Sequence, residues 1–298
     1  MADMPALTIV ASPGRREKMI KLAVEAEERG FSGIYVPRLA ALMPFCQAIL
    51  QATSKIWVGT GIQPIYVQHP RELAATAAFL HETSGGRFRM SLGVSHAPVY
   101  DRMNLKVGKP LSDMREYVAA MRAQEDVGEL PPIVLATLRN KMLAMSGDIA
   151  EGAMWANGAR SYVPSQLAAT GITPSDDFFV SNMQPCVIDD DRQAGGAVHK
   201  RTLTGYLSLP NYRNYWREAG YADGIDAVEA SLAAQDGAFL PDLMSEDWLS
   251  DVTLYGSADY IRNEVSKSLG QGITPILVPS STTGGQAKGI QEVFDVFE

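Results

Sequence analysis

A (β/α)₈ barrel, a single α/β TIM-barrel domain over residues 1–298, is the fold this sequence predicts, and three observations carry the prediction. Short apolar runs alternate with amphipathic segments along the chain, the rhythm of repeated β–α units. The apolar runs are nearly continuous, as expected of parallel strands buried on both faces. A length of 298 residues with 46% hydrophobic content suits one barrel of ordinary size.

The elements follow in order. Residues 7–11 form the first apolar run, and Pro13-Gly14 turns the chain. Residues 15–29 then place Met19, Leu22, Ala23 and Ala26 at helical spacing, and Gly30 stands where a helix ends. Residues 33–37 read as strand two, 39–53 as helix and 56–62 as strand three. Pro70 opens the next helix, where a missing N–H is no loss. Leu73, Ala74, Ala77, Phe79 and Leu80 make it largely apolar, and Gly85-Gly86 stops it. Residues 87–94 are strand four, followed by a polar loop over 96–109 and a helix over 111–123. Strand five (133–136), a helix (140–145), strand six (153–156), a helix (162–169) and strand seven (178–184) follow. The rhythm breaks over 189–251, which is helical in pattern, interrupted by Gly and Pro, and too long for one crossover. It is expected to be an insertion after strand seven that packs over the barrel. A helix over 260–269, strand eight over 276–279 and a helix over 290–297 close the chain.

Composition narrows the function. The net charge is −8, and no basic run exceeds pairs such as Arg15-Arg16 and Lys200-Arg201, so no nucleic-acid partner is expected. Two cysteines, Cys46 and Cys186, lack spaced partners. They support neither a disulfide framework nor a thiolate metal site and are expected to be buried. The opening, Met1-Ala2-Asp3-Met4-Pro5, has an acid and a proline where a leader has basic and apolar regions. No apolar run reaches the roughly 18 residues of a membrane helix. A cytoplasmic protein acting on a small molecule, with no membrane partner, is the expectation.

Functional residues of such barrels lie at the C-terminal ends of the strands. The polar residues there are Ser12, Arg38, Gln63, Ser95 with His96, Thr137, Asn157, Gln184 and Ser280-Ser281. Gly61, Gly93 and Gly158 stand among them, where glycine lets a flat ligand approach the backbone. The sequence has no His-Glu-x-x-His, Gly-x-Ser-x-Gly or phosphate-loop motif, and no paired carboxylates at strand ends. Gly59-Thr60-Gly61 is not followed by a helix start and is no dinucleotide fingerprint. Glycines and amides without a nucleophile or metal set suit chemistry carried by an organic cofactor.

Of four histidines, only His96 directly follows a strand end. It is either a catalytic acid/base or a loop histidine bonded to backbone. His69 is expected beside a helix start, and His81 and His199 are expected on the surface. Arg38 holds an anionic ligand or pairs with a barrel carboxylate. Residues 280–288, rich in Ser, Thr and Gly, form an anion nest or a plain surface loop.

Several segments resemble the bacterial luciferase-like superfamily. They are Ala26-Glu27-Glu28-Arg29-Gly30-Phe31 through Val36, Ala52-Thr53 with residues 56–61, and His69-Pro70 through Gly93 with Thr83-Ser84-Gly85-Gly86-Arg87-Phe88. Residues 147–152 with Trp155-Ala156-Asn157, and residues 206–212 with Tyr255-Gly256-Ser257, extend the resemblance over nearly the whole chain. The pattern looks most like the branch that uses the deazaflavin coenzyme F420.

The resemblance implies a homodimeric barrel that moves a hydride between the deazaflavin C5 and a small organic substrate. It further implies a non-proline cis peptide at Gly61-Ile62, forming a bulge behind the ring; Gln63 and Arg38, at strand ends, are expected among the cofactor-binding residues. Gly93, Val94 and Ser95, then Ala136, Thr137 and Leu138, then Asn157, Gly158 and Ala159 would hold ring and phosphate. Departures are Arg38 after strand two, Ser95-His96 in place of a glutamate after strand four, and no glycine-proline after strand five. The second of these speaks against glucose-6-phosphate oxidation. Reduction of an activated C=C or C=N, with His96 carrying the proton, is the first expectation. An FMN-dependent monooxygenase using oxygen is the alternative, and a non-catalytic flavin-binding relative the third.

Overall fold

The computed structural model describes residues 4–37, 40–235 and 239–297. Eight parallel strands close into a TIM barrel: β1 (Ala6–Thr8), β2 (Gly33–Val36), β3 (Trp57–Thr60), β5 (Phe88–Gly93), β6 (Ile133–Ala136), β7 (Gly152–Ala156), β8 (Phe179–Ile188) and β10 (Thr274–Ser280). Closure is made by β8 with β10, in register from Thr274 opposite Ser181 to Ser280 opposite Val187. The two-residue β4 (Gln63–Pro64) continues the line of β3 and pairs with Leu92 and Gly93 of β5.

Helices wrap the outside: α1 (Arg16–Glu28), α2 (Leu42–Ala52), α3 (Pro70–Thr83), α5 (Pro110–Arg122), α6 (Asn140–Ile149), α7 (Val163–Thr170), α12 (Ala258–Gly270) and α13 (Gln286–Val296). Outward residues such as Leu7, Ile34, Val58, Phe88 and Leu277 pack against them in one core. Inward residues Ala6, Tyr35, Val134, Met154, Met183 and Ile276 fill the barrel lumen. The strand surface is therefore apolar on both faces, the reason the runs carry no two-residue alternation.

After β8 the chain forms α8 (Arg192–Leu207), α9 (Pro210–Glu218), α10 (Ala222–Ala234) and α11 (Glu246–Val252). Their aromatic residues Tyr212, Tyr215, Trp216 and Trp248 share a second core with Trp155 and Ala159 of the β7 side, and with Val187 of β8. The segment expected over 189–251 thus has a core continuous with one side of the barrel.

Four expectations need correction. The loop expected over 96–109 contains α4 (Ala97–Met103), because Pro98 opens a turn that closes on Asn104 in the left-handed region, φ 49°. Strand seven runs to Ile188 instead of stopping at 184. Its extension is paired on one side by β10 and on the other by β9 (Leu254–Gly256), a strand the sequence pattern did not reveal. His199 is fully buried, because α8 turns it inward against Tyr255. Gln184 consequently lies within β8 instead of at a strand end. Both cysteines are buried, as expected. No helix among the described residues is long and apolar enough to cross a membrane.

Candidate active site

The C-terminal mouth begins with the residues after β3. The Gly61-Ile62 peptide is cis, as the resemblance implied. Beyond it the chain rejoins the sheet at Gln63, buried opposite Leu92, and Ile62 packs against the lumen core. Space here is tight. A Cβ built on Gly93 falls 2.8 Å from Cγ1 and Cδ1 of Ile62 and 3.1 Å from the Ala136 Cβ, and one on Gly61 falls 3.0 Å from Met183 Cε. Gly93 therefore makes room for the Ile62 side chain, and Gly61 for that of Met183.

The loops after β5 and β7 each contain a non-glycine residue in the left-handed region. Ser95 has φ 63° and Asn157 has φ 54°. L-residues adopt this conformation at a cost and cluster there at ligand sites. Tertiary bonds hold Asn157 in place: its N–H donates to the Met183 carbonyl at 2.9 Å, and its carbonyl accepts Trp216 Nε1 at 3.2 Å. Thr137 Oγ1, in the loop after β6, is buried without a hydrogen-bond partner, whereas the buried Asn157 amide faces the Tyr206 and Tyr212 hydroxyls. Buried polar atoms without partners are uncommon, and at a barrel mouth they suit a ligand.

His96, directly after Ser95, lies against two tyrosines of the inserted helices. Its ring centroid is 5.6 Å from Tyr212 and 6.5 Å from Tyr206, and those two rings meet edge to face at 4.9 Å. Burial pushes the His96 pKa below 6.5, so the neutral imidazole dominates at neutral pH, and its Nδ1 is buried with no partner. Burial also raises the Tyr206 hydroxyl and holds Tyr212 well above 10, with the Asn157 amide opposing the rise at both. The result is a neutral, apolar enclosure around one imidazole. Tyr206 and Tyr212 were quoted in the sequence only as part of a resemblance. Their meeting with His96 spans more than a hundred residues and has no signal at helical or strand spacing.

A family model described as luciferase-like monooxygenase matches residues 6–274. The chain belongs to that family. Among its relatives, the 5,10-methylenetetrahydromethanopterin reductase of Methanolobus tindarius is 23% identical, over 92% of this chain and 93% of its own length. The solved F420-dependent secondary alcohol dehydrogenase in complex with an F420-acetone adduct superposes with a TM-score of 0.71 at 18% identity, covering 99% of this chain and 98% of that one. A type II Baeyer-Villiger monooxygenase constituent from Pseudomonas putida, in complex with FMN, shares the barrel at TM-score 0.59 and 15% identity, over 93% of this chain and 91% of that one.

The remaining expected residues of this luciferase-like chain are placed unevenly. Val94 and Ser95 are half-buried at the mouth beside Gly93. Gly158 and Ala159 are in the loop after β7, but their amides are already used. Gly158 N–H donates to Asn182 Oδ1 at 3.1 Å, and Ala159 N–H to the Tyr215 hydroxyl at 2.9 Å. Leu138 packs against the second core, and its carbonyl accepts Gln166 Nε2 at 2.9 Å. These three shape the loops without presenting free amide donors at 158 and 159. Arg38 lies outside the described residues.

The 280–288 segment is held by carboxylates. Ser281 Oγ donates to Glu292 Oε1 at 2.9 Å and Thr282 Oγ1 to Asp189 Oδ2 at 2.5 Å. An anion nest is disfavoured there because two negative groups already take its hydroxyls. Thr282 also draws the Asp189 carboxyl below its ordinary pKa, since the hydrogen bond favours the charged form.

Proposed function

We propose that the chain is a coenzyme F420-dependent oxidoreductase acting on a small organic substrate. The observation that carries this reading is the mouth itself: the cis Gly61-Ile62 peptide stands after β3, and Thr137 Oγ1 after β6 and His96 Nδ1 after β5 are buried polar atoms without partners. Ser95, Thr137 and Asn157 are the residues proposed to hold the polar edge and phosphate of a flat tricyclic ring. When bound, the deazaflavin supplies or accepts a hydride at C5.

The chain's own residues do the rest. Tyr206, Tyr212 and Trp216 exclude water from one side, which strengthens electrostatic contacts and holds reactants at attack distance. His96 Nδ1, free of protein partners, moves the accompanying proton to or from the substrate. Reduction of an activated C=C or C=N is the direction proposed. It needs the protonated imidazole, so its rate should rise as pH falls toward the lowered His96 pKa. The reverse oxidation should show the opposite slope. The same reading has the protein work as a cytoplasmic homodimer, which light scattering on the purified protein would test.

An FMN monooxygenase is the second reading, favoured by the FMN-bound barrel among the structural neighbours. Titration of the purified protein against both cofactors separates them. Saturable F420 binding without FMN binding is expected; FMN binding with oxygen uptake and no F420 binding overturns the proposal. His96→Gln should lower turnover by about 100-fold with cofactor affinity unchanged. Equal turnover across pH would remove His96 from the mechanism.

A further inference from the structure

The barrel's opposite, N-terminal end holds a cavity of about 550 Å³, whose walls include Phe31, Tyr35, Trp57, Arg89, Phe179 and Lys55. Its volume lies in the ordinary range of small-molecule sites. We propose that it is a second binding site, for a small monocarboxylate with an apolar body, and that Arg89 is the anchor.

Arg89 projects into this end of the lumen from the start of β5. Its guanidinium lies 3.8 Å from the Phe179 ring centroid and 4.4 Å from that of Trp57. Its Nη1 donates to the Tyr35 hydroxyl at 2.9 Å. Tyr35 is itself fully buried and stacked on Phe179, with ring centroids 6.3 Å apart and planes within 9°. Two aromatic faces and one phenol thus hold the guanidinium plane in place, which prepares its remaining edge for a ligand.

That remaining edge lacks an acceptor. Nε of Arg89 is buried with no partner, and no carboxylate among the described residues forms an ion pair with Arg89. Two other half-buried arginines differ: Arg160 pairs with Glu264, and Arg213 with Glu229. Glu27 and Asp176 also line the cavity, but neither is free: the Glu27 carboxylate is spent on the backbone N–H groups of Ser54, Lys55 and Ile56, and Asp176 is already engaged. A half-buried guanidinium without a counter-charge gains from a ligand that supplies one.

The geometry selects the ligand class. With Nη1 committed to Tyr35 and Nε shielded from solvent, Nη2 is the donor left to meet a carboxylate oxygen. One fixed cation suits a single negative charge, and the rings of Phe31, Trp57 and Phe179 suit an apolar body. The site is at the other end of the barrel from the proposed cofactor mouth, so ligand binding here and cofactor binding there are separable.

Calorimetric titration of the full chain with hexanoate tests the proposal, with hexanol and inorganic phosphate run alongside. Trp57 is the tryptophan lining this cavity, so intrinsic fluorescence gives a second readout that Trp57→Phe should abolish. The expected result is saturable hexanoate binding, at least tenfold weaker in Arg89→Gln, with the F420 and FMN titrations of that variant unchanged. If Arg89→Gln does not fold, the wild-type comparison decides, because hexanol must then bind at least tenfold more weakly than hexanoate. Equal binding of hexanol, tighter binding of phosphate, or no saturable hexanoate binding would each overturn it.

Discussion

Asn182, on β8, holds Gly158, in the loop after β7, by two reciprocal hydrogen bonds: Gly158 N–H donates to Oδ1 at 3.1 Å, and Asn182 Nδ2 donates to the Gly158 carbonyl at 2.9 Å. A Cβ on Gly158 would fall 2.9 Å from the same Oδ1, so the clamp requires glycine at its centre. Asn182→Ala removes both bonds and leaves two buried backbone groups unpaired, a loss of about 2–3 kcal/mol. Urea unfolding should show the lower midpoint with an unchanged slope. Cofactor affinity should also weaken, because Asn157 loses the support of the residue beside it.

Gly93 and Ile62 form a second coupled pair. Gly93→Ala pushes a methyl into the Ile62 side chain and should cost about 1–3 kcal/mol together with a measurable loss of cofactor affinity. Ile62→Ala vacates that space, so the double variant should recover stability relative to the sum of the single changes. Simple additivity in a double-mutant cycle would show that the two residues are not in contact at the mouth.

His199 should make stability depend on pH. Burial lowers its pKa from 6.5 to about 4, against a smaller upward pull from its bond to the Leu254 carbonyl at 2.9 Å. Between those values the unfolded chain binds the proton and the folded one does not. Stability is thus complete above pH 6.5 and is lost as pH falls toward 4, by about 3 kcal/mol. His199→Gln should flatten this part of a urea-midpoint profile. An unchanged slope in the variant would place the titrating group elsewhere.

Arg87, within the segment that most resembles the family, should matter to folding and not to turnover. Its guanidinium reaches the carbonyls of Leu50, Thr53, Ile56 and Ser84 at 2.8–3.2 Å, tying the end of α2 to the starts of β3 and β5. A lysine ammonium cannot serve this spread of acceptors, and Arg87→Lys should cost about 2–3 kcal/mol. Turnover per folded molecule should stay the same. A turnover defect at full stability would contradict this placement at the N-terminal end of the barrel.

The barrel was legible because its signals are local. Parallel strands buried on both faces appear as short apolar runs, and prolines and glycines such as Pro70 and Gly85-Gly86 mark where helices start and stop. The errors arose where neighbours in space overrode local pattern. Gln184 belongs to a mid-strand position because β9 and β10 extend the pairing around it. His199, expected at the surface, is brought against Tyr255 by the turn of α8. Gly158 and Ala159 were correctly placed in a strand-end loop, but the partners of their amides, Asn182 and Tyr215, come from elements far along the chain.

What the sequence alone determined, then, is the order of the eight barrel strands and the position of His96 just after one of them. Burial pattern, turn residues and strand-end position are properties of neighbouring residues, and they survive in one dimension. Only the tertiary structure decided that His96 lies against Tyr206 and Tyr212, and that Arg87 binds carbonyls while Arg89, two residues on, sits among aromatic rings. The reason is physical: a side chain's partner is set by which elements the closed barrel brings together, and closure joins β8 and β10 across a long inserted segment that no local spacing encodes.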